Sequence, residues 1–338
     1  QLLNDDFSTN VYAVFASAEW EATDRLDISV AGRYDIEDRS TSSLVPAVFD
    51  PFTGGPINPG QQVVGGVVQP IAGQSETFKQ FQPKISLRYE VADDLNFYAN
   101  WGIGFKSGGF QLGDLTSFEP EKLWSYETGI KSTLLDNRLR ANLGVFLYDF
   151  TNLQVVEYDD VTGVSKTTNA GEARVNGIEG EFIARVHDDL DVNLTISYTK
   201  AEFDVFPQGQ GVDFAGNDMP NTPDLTYSIG AQYTTEIENL GYVVFRGDYA
   251  WRDEVYFKSN NDNKFQSDAY SLLNLRLSLM TFDDKWEVSL YGTNLLDERY
   301  ATYITNARNL DGSITADGDT SNTYGEPRQY GVKVRYNF

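Results

Sequence analysis

The sequence of 338 residues contains no cysteine, one histidine and only 26 basic residues against 50 acidic ones. The lack of cysteine excludes a disulfide framework and a thiolate metal site. The net charge of −24 excludes a nucleic-acid partner, because too few cations are present to neutralise a run of phosphates. The lone histidine, His187, lies in a predicted tight turn, so we expect no histidine-dependent catalysis.

Long hydrophobic runs are also missing from the chain. No stretch of about 18 apolar residues is present, so we expect no membrane-spanning helix. The hydrophobic residues nevertheless make up 41% of the sequence, and 14% of the residues are aromatic. This composition suits β structure, in which alternate residues face opposite sides of a sheet.

The C-terminal segment 327–338 alternates between apolar and polar residues without interruption. Period-two alternation predicts a β-strand whose two faces differ in chemistry. A strand that is apolar on one face, polar on the other and aromatic at its end is typical of a transmembrane β-barrel. The apolar positions are Tyr330, Val332, Val334, Tyr336 and Phe338.

The same alternation recurs in about thirteen segments along the chain. Tight Asp- and Asn-rich turns alternate with long connections, and the apolar faces carry almost no charge. Outer-membrane barrels have short periplasmic turns and long extracellular loops, whereas a soluble β-sandwich has shorter strands and no such asymmetry. We therefore predict an all-β, antiparallel transmembrane barrel. The predicted long connections are 40–76, 107–122, 152–171, 207–223, 258–267 and 297–326.

The predicted first and last strands both run from the long-loop rim to the short-turn rim. An antiparallel barrel closes on an even number of strands, so we expect at least one more strand before Gln1. No signal peptide precedes Gln1 either. Residues 1–338 are therefore expected to be the C-terminal portion of a larger barrel.

Three segments carry a resemblance to a known family. They read FEPEKLWSYETGIK at 118–131, NAGEARVNGIEG at 169–180 and GTNLLDERY at 292–300. In this order, and with the terminal Phe338, they resemble the barrel of TonB-dependent outer-membrane receptors. The resemblance extends over essentially the whole chain.

The resemblance implies the last thirteen strands of a 22-stranded barrel, with the plug domain and the N-terminal strands missing from the sequence. It further implies a Gram-negative outer membrane, contact with its lipid and lipopolysaccharide, and import of a scarce nutrient. Ferric siderophores are the commonest cargo of the family, and the TonB complex supplies energy through the plug region. The barrel-assembly machinery is expected to read a signal at Tyr330, Val332, Val334, Tyr336 and Phe338.

Several motif residues have a structural interpretation. Asn294 and Asp297 are expected to cap the exit of a strand through bonds from side chain to backbone. Gly177 and Gly180 are expected to give the backbone clearance for a plug or a bend.

Candidate ligand residues follow from position alone. The ligand of a barrel meets loops and lumen-facing side chains near the extracellular rim, where aromatic and basic groups supply contact area and charge. For the aromatic residues, a place in the outer aromatic girdle is the competing interpretation. The candidates are Phe105, Lys106, Phe110, Tyr158, Arg252, Tyr256, Phe257, Tyr303, Tyr324 and Arg328.

Two other functions remain open at this point. A passive, substrate-selective porin would share the barrel but leave its lumen open, and a secreted β-rich binding protein would share the alternation. We expect no catalytic activity and no resident cofactor or metal site.

Overall fold

The computed structural model describes residues 5–44, 61–64, 67–111, 115–159, 164–209, 212–307 and 318–338. Within these ranges, thirteen strands form one antiparallel sheet in which every strand pairs with its neighbours in the chain. The strands, β1 to β13, are Asp5–Thr23, Leu26–Ser43, Gln74–Ala92, Leu95–Lys106, Glu121–Leu134, Leu139–Asp159, Val164–His187, Leu190–Val205, Leu225–Ile237, Gly241–Arg252, Tyr270–Thr281, Trp286–Thr293 and Gln329–Tyr336. The predicted fold class is confirmed.

Connections at the two rims of the sheet differ as predicted. At one rim, short turns join the strands, and Asn137, Asn239 and Asp284 adopt the left-handed backbone conformation that Asn and Asp tolerate. At the other rim, the connections are long and most of them contain a small hairpin. These hairpin strands are Gln61–Val64 with Val67–Pro70, Gly109–Phe110 with Ser117–Phe118, Pro207–Gly209 with Val212–Asp213, Val255–Tyr256 with Gln266–Ser267, and Ala301–Asn306 with Thr320–Tyr324.

Helical structure is nearly absent from the described residues. A single 3-10 turn spans Asn263–Phe265, and among the described residues no helix has the length and apolar character needed to cross a membrane.

One predicted connection proved to be wrong. Residues 152–171 were expected to form a loop, but β6 and β7 continue as a paired ribbon to Asp159 and Val164. Asn152 is left out of the strand pairing and adopts a left-handed conformation, and its carbonyl accepts a hydrogen bond of 2.9 Å from Asn169 Nδ2. The segment around Asn152 therefore interrupts the strand pairing locally without ending the strand.

The two faces of the sheet meet different media. Leu277, Leu290 and Val332 lie side by side on three neighbouring strands, and their side chains are 44%, 53% and 66% exposed. Such a broad exposed apolar surface is unfavourable in water and favourable against hydrocarbon, so we call this side the lipid face. Where it ends at the short-turn rim, Tyr336 packs against Trp286 at 4.7 Å and against Phe338 at 5.1 Å. These aromatic residues form the interface girdle typical of a barrel.

The opposite side, the lumen face, carries paired charges. Arg33 contacts Asp35 at 2.7 Å, and Gln82 donates a second hydrogen bond of 2.7 Å to the same carboxylate. Arg335 lies 3.3 Å from Glu287 on the neighbouring strand. Because these side chains alternate with those of the lipid face, a charged wall and an apolar wall share one backbone.

Aromatic rings on the lumen face lie over glycines of the adjacent strand. Tyr98 is directly opposite Gly129, and Phe146 is directly opposite Gly177. A Cβ added at Gly129 would lie 2.8 Å from Tyr98 Oη, and one added at Gly177 would lie 2.6 Å from Phe146 Cζ. The clearance expected at Gly177 is therefore filled by the ring of a neighbouring strand.

Side-chain amides hold the long-loop rim together where the strand ladder ends. Asn169 Oδ1 accepts from Glu119 N at 2.9 Å, and its Nδ2 donates to Glu119 O at 3.0 Å. Gln111 makes the same two-bond contact with the backbone of Thr167. An amide side chain can thus pair with a single residue as a neighbouring strand would, and it satisfies both backbone groups.

Asn294 repeats this arrangement at the exit of β12. Its Oδ1 accepts from Glu298 N at 2.9 Å and its Nδ2 donates to Glu298 O at 2.9 Å and to Glu326 O at 3.1 Å. The predicted cap by Asn294 is therefore present. Asp297 differs from expectation, because its carboxylate accepts from Arg328 Nη2 at 3.0 Å instead of from the backbone.

The glycine contact can be tested by substituting Gly129 with alanine. We expect Gly129→Ala to lower the free energy of unfolding by about 1–3 kcal/mol, because the added Cβ meets the Leu143 carbonyl as well as the Tyr98 ring. The measurement is thermal unfolding of the full-length protein in detergent, followed by gel mobility of heated samples. Gly104→Ala is the matched control, because its nearest neighbour would be at 3.7 Å, in ordinary contact. Equal stability of the two variants would contradict the prediction.

A second substitution tests the amide contact. The Asn294 side chain is 5% exposed and pairs with partly buried backbone groups of Glu298 and Glu326, so Asn294→Ala leaves these groups without that partner. We expect a loss of about 2–3 kcal/mol in the same unfolding assay. Asn322→Ala, which removes an amide from an exposed strand, should change stability little. The interpretation fails if both asparagine variants unfold alike.

Candidate ligand-binding site

Two clusters of buried apolar residues lie at the long-loop rim. The first contains Leu153, Ala173, Phe203 and Phe206, with Phe150, Val155, Phe214 and Met219 packed against it. The second contains Val255, Phe257, Phe265 and Ile304. Most side chains on the strands are exposed on one face of the sheet or the other. Buried apolar residues are therefore concentrated at this rim, both in the connections and at the strand ends that enter them.

The second cluster is built by an Asp- and Asn-rich segment. Asp262 accepts a hydrogen bond from Lys264 N at 3.0 Å and so begins the 3-10 turn. Asn261 precedes it in a left-handed conformation, and Phe257 N donates to Phe265 O at 2.9 Å. These bonds close the segment on itself and bring Phe265 into the cluster, where it is 4% exposed.

Hydrogen bonds join this segment to the preceding long connection. Asn261 Oδ1 accepts from Asp218 N at 2.7 Å, and Asn261 Nδ2 donates to Asp218 O at 3.0 Å. Asn217 Nδ2 donates to Ser259 O at 2.9 Å, and Asn221 N donates to Tyr256 O at 2.8 Å. The two connections are therefore fixed to each other as one unit.

A cavity of about 690 Å³ lies between the two clusters. Its size is within the range of about 300–1,000 Å³ typical of small-molecule sites. Three connections contribute to its wall together with the ends of β6 and β8, so several segments of the rim form it jointly. Its aromatic lining includes Phe214, Phe257, Phe265 and Tyr303.

The polar lining of this cavity is basic or neutral. Lys258 Nζ lies 5.5 Å and Lys264 Nζ lies 4.9 Å from the centre of the Phe265 ring. Lys264 also lies 3.6 Å from the carboxylate of Asp262. Among the described residues that line the cavity there is no aspartate or glutamate. The remaining polar groups are hydroxyls and amides, among them those of Gln154 and Asn221.

Acidic groups of the nearby rim gather around a different cation. Lys200 Nζ lies 2.8 Å from Asp218, 3.2 Å from Glu202 and 3.8 Å from Asp224. Burial raises the pKa of the Asp224 carboxyl, while the charge of Lys200 opposes that shift. The carboxylate of Asp218 is therefore engaged by Lys200, although the backbone of Asp218 supports the cavity wall.

Four of the ten predicted ligand residues lie at or beside this cavity. Phe257 and Tyr303 line it, with their ring centres 5.8 Å apart in an edge-to-face arrangement. Arg252 and Tyr256 lie behind the wall, where both contact the backbone of Asn221. Arg252 Nη2 donates to Asn221 O at 3.4 Å.

Among the other predicted residues, Lys106, Phe110 and Phe105 lie on another part of the rim. Lys106 is on the lumen face opposite Glu121, and Phe110 is in a small hairpin. Phe105 occupies a lipid-face position in register with Trp101 and Ile103, which corresponds to the competing girdle interpretation.

The remaining three predicted residues are also away from the cavity. Tyr324 stacks under the guanidinium of Arg299 at 4.1 Å, and Arg328 pairs with Asp297. Tyr158 pairs with Ser165 near the tip of the β6–β7 ribbon, and its side chain is outside the described part of the structure.

The sequence prediction missed Lys258, Lys264 and Phe265. A lysine in a long connection is usually solvated, and nothing in the local pattern separates these two from other exposed lysines. The available signal was Asp262, whose spacing to Phe265 is that of a capped turn with an apolar residue on its inner side.

His187 lies at the opposite rim. Its Nδ1 accepts from Asp189 N at 3.4 Å in the turn that joins β7 to β8, and the side chain is exposed. The distance along the strands separates it from the cavity.

Comparison with known proteins identifies the barrel. The family model described as TonB dependent receptor-like, beta-barrel matches residues 1–295. The pesticin receptor of Yersinia pestis is 24% identical over 297 residues, which cover 86% of this chain and 40% of that receptor. The ferric-pyoverdine M114 receptor PbuA of Pseudomonas sp. (strain M114) is 27% identical over 266 residues, covering 77% of this chain and 30% of the receptor.

Solved structures agree in fold. The ferric yersiniabactin uptake receptor FyuA from Yersinia pestis matches with a TM-score of 0.77 and 19% identity, over 99% of this chain and 46% of that chain. The chain thus spans less than half the length of these relatives. With the family model covering most of its length, the chain belongs to the TonB-dependent receptor family of outer-membrane β-barrels.

Proposed function

We propose that the protein is an active-transport receptor that imports a ferric siderophore across the outer membrane with energy from the TonB complex. The observation that carries the proposal is the cavity of about 690 Å³ at the long-loop rim, which is the extracellular rim of a barrel of this family. Its aromatic and basic lining suits a chelate large enough to contact several loops. Relatives named as receptors for siderophore complexes support the same cargo.

The remaining surfaces have partners in this proposal. The lipid face contacts outer-membrane lipid, with lipopolysaccharide in the outer leaflet. The barrel-assembly machinery recognises the terminal strand Gln329–Tyr336 together with Phe338. This assignment is supported by the exposed apolar row of the strand, which ends in the contact between Tyr336 and Phe338. TonB is reached through a plug region, and residues 1–338 are the C-terminal portion of the barrel around it. No catalytic role is proposed for any residue.

The proposal predicts iron uptake that depends on both the receptor and TonB. Iron-starved cells carrying the full-length gene should accumulate radioactive iron from a siderophore complex, and deletion of either the receptor gene or tonB should reduce uptake to background. The control is uptake of the same complex after the receptor gene is restored. Uptake that persists without TonB would instead support a passive porin, and no receptor-dependent uptake from any siderophore would contradict the proposed cargo.

A further inference from the structure

We propose that the rim cavity selects ferric chelates that carry net negative charge and aromatic iron-binding rings, such as catecholates, over neutral hydroxamate chelates. This inference rests on the proposed function and specifies the class of cargo. It depends on three properties of the cavity, which are its charge, its aromatic wall and the rigidity of its frame.

The charge of the cavity is opposite to that of the chain. Acidic residues outnumber basic ones by 50 to 26 in the sequence, yet the described lining contains Lys258 and Lys264 and no carboxylate. By contrast, a cavity of about 1110 Å³ on the lumen face is lined by Glu19, Glu21, Asp27 and Glu127 as well as by cations. A positive site on a strongly acidic protein indicates an anionic ligand, because elsewhere the surface repels one.

Ion pairs compensate the charge of the two cavity lysines only in part. Asp262 is 3.6 Å from Lys264 and also caps the 3-10 turn, whereas Asp218 pairs with Lys200 at 2.8 Å and shares that cation with Glu202 and Asp224. Among the described residues, Lys264 forms an ion pair with Asp262, and Lys258 forms no ion pair. A multiply charged anion would therefore gain a charge-assisted contact from Lys258 without displacing an existing partner.

Arg252 adds a third cation behind the wall. Its Nη2 donates to the carbonyl of Asn221, a lining residue, and its buried Nε has no hydrogen-bond partner among the described residues. No described carboxylate forms an ion pair with Arg252. Its charge therefore adds to the positive potential at the cavity, in a region where partial burial weakens solvent screening.

The aromatic wall accounts for the second part of the selectivity. Tyr303 is 49% exposed and contacts buried Phe257 edge to face, so one aromatic ring is held in place and still accessible. Phe265 holds both lysine ammonium groups within 5.5 Å of its centre. A catecholate presents a ring that can stack on Tyr303 and oxygens that can accept from the lysines, whereas an aliphatic hydroxamate lacks the ring.

The frame of the cavity is fixed before a ligand binds. The paired bonds between Asn261 and Asp218, and the bond from Asn217 to Ser259, join the two connections that carry the lysines and the first apolar cluster. Little ordering of these connections is then required on binding, so differences in ligand chemistry appear directly as differences in affinity.

The test is equilibrium binding of two radioactive iron probes to tonB-deficient cells that carry the full-length receptor, so that binding is measured without transport. The probes are the Fe(III) complex of a tricatecholate chelator, which is trianionic, and that of a trihydroxamate chelator, which is neutral. We expect the tricatecholate complex to bind at least about tenfold more tightly, since each charge-assisted hydrogen bond contributes about 1.5–3 kcal/mol. High NaCl should weaken its binding and leave that of the trihydroxamate unchanged.

The double substitution Lys258→Gln and Lys264→Gln should weaken binding of the tricatecholate complex about tenfold or more and leave binding of the trihydroxamate complex unchanged. Lys264 is exposed and Lys258 is half-buried, and heat-dependent gel mobility verifies that the variant barrel is folded. The matched control is Lys285→Gln, because Lys285 pairs with Asp283 in a short turn at the other rim.

Each other outcome overturns the inference. It fails if the neutral complex binds as tightly as the anionic one, if the double substitution weakens both probes equally, or if neither probe binds. TonB-dependent uptake of a neutral siderophore, with no preference for the anionic probe, would reject the charge selectivity and leave the proposed function standing. Absence of uptake from every siderophore would reject the proposed function itself.

Discussion

The structure depends on one constraint, which is that backbone N–H and C=O groups in hydrocarbon must find their partners inside the protein. Within the antiparallel sheet, β2 to β12 meet it because each of them pairs with a strand on both sides. Once the backbone is satisfied, the side chains need only match the medium they face. Apolar residues therefore cover one side and paired charges such as Arg335 and Glu287 cover the other.

At the long-loop rim the ladder ends, and side-chain amides take over its role. Asn169 and Asn261 each bond to both backbone groups of one residue in another segment, and Asn294 does the same with Glu298, four residues further along the chain. Two of them lie in the segments that carry the family resemblance. Asn169 and Asn294 therefore maintain loop geometry. Asn261 joins two of the connections whose side chains line the cavity.

Much of the fold could be predicted because its signal is local. Alternation at Tyr330 to Phe338, and the polarity of the short turns, are both readable within a few residues of sequence. The ribbon around Asn152 was missed because its pairing partner is on the next strand and its polar sequence looks like a loop. Phe105 has the same parity as Trp101 and Ile103, so local alternation already indicated a lipid-face position for it.

The candidate site could be predicted only in part for the same reason. Aromatic residues near strand ends, such as Phe257 and Tyr303, are natural candidates in any barrel. Lys258 and Lys264 become relevant only because bonds between two separate connections place their segment beside the first apolar cluster. Contacts of this kind link residues that are far apart in sequence, so no short window contains them.

The rings that lie over glycines have a consequence for how the barrel is put together. A slip of two residues between β4 and β5 would keep the lipid face apolar and the backbone ladder intact, so neither feature rejects it. It would, however, bring Tyr98 opposite Glu127 or Lys131 instead of Gly129, where its ring has no space to lie flat. The contact between the ring and the glycine therefore favours the native strand register over registers shifted by two residues while strands are added to the sheet.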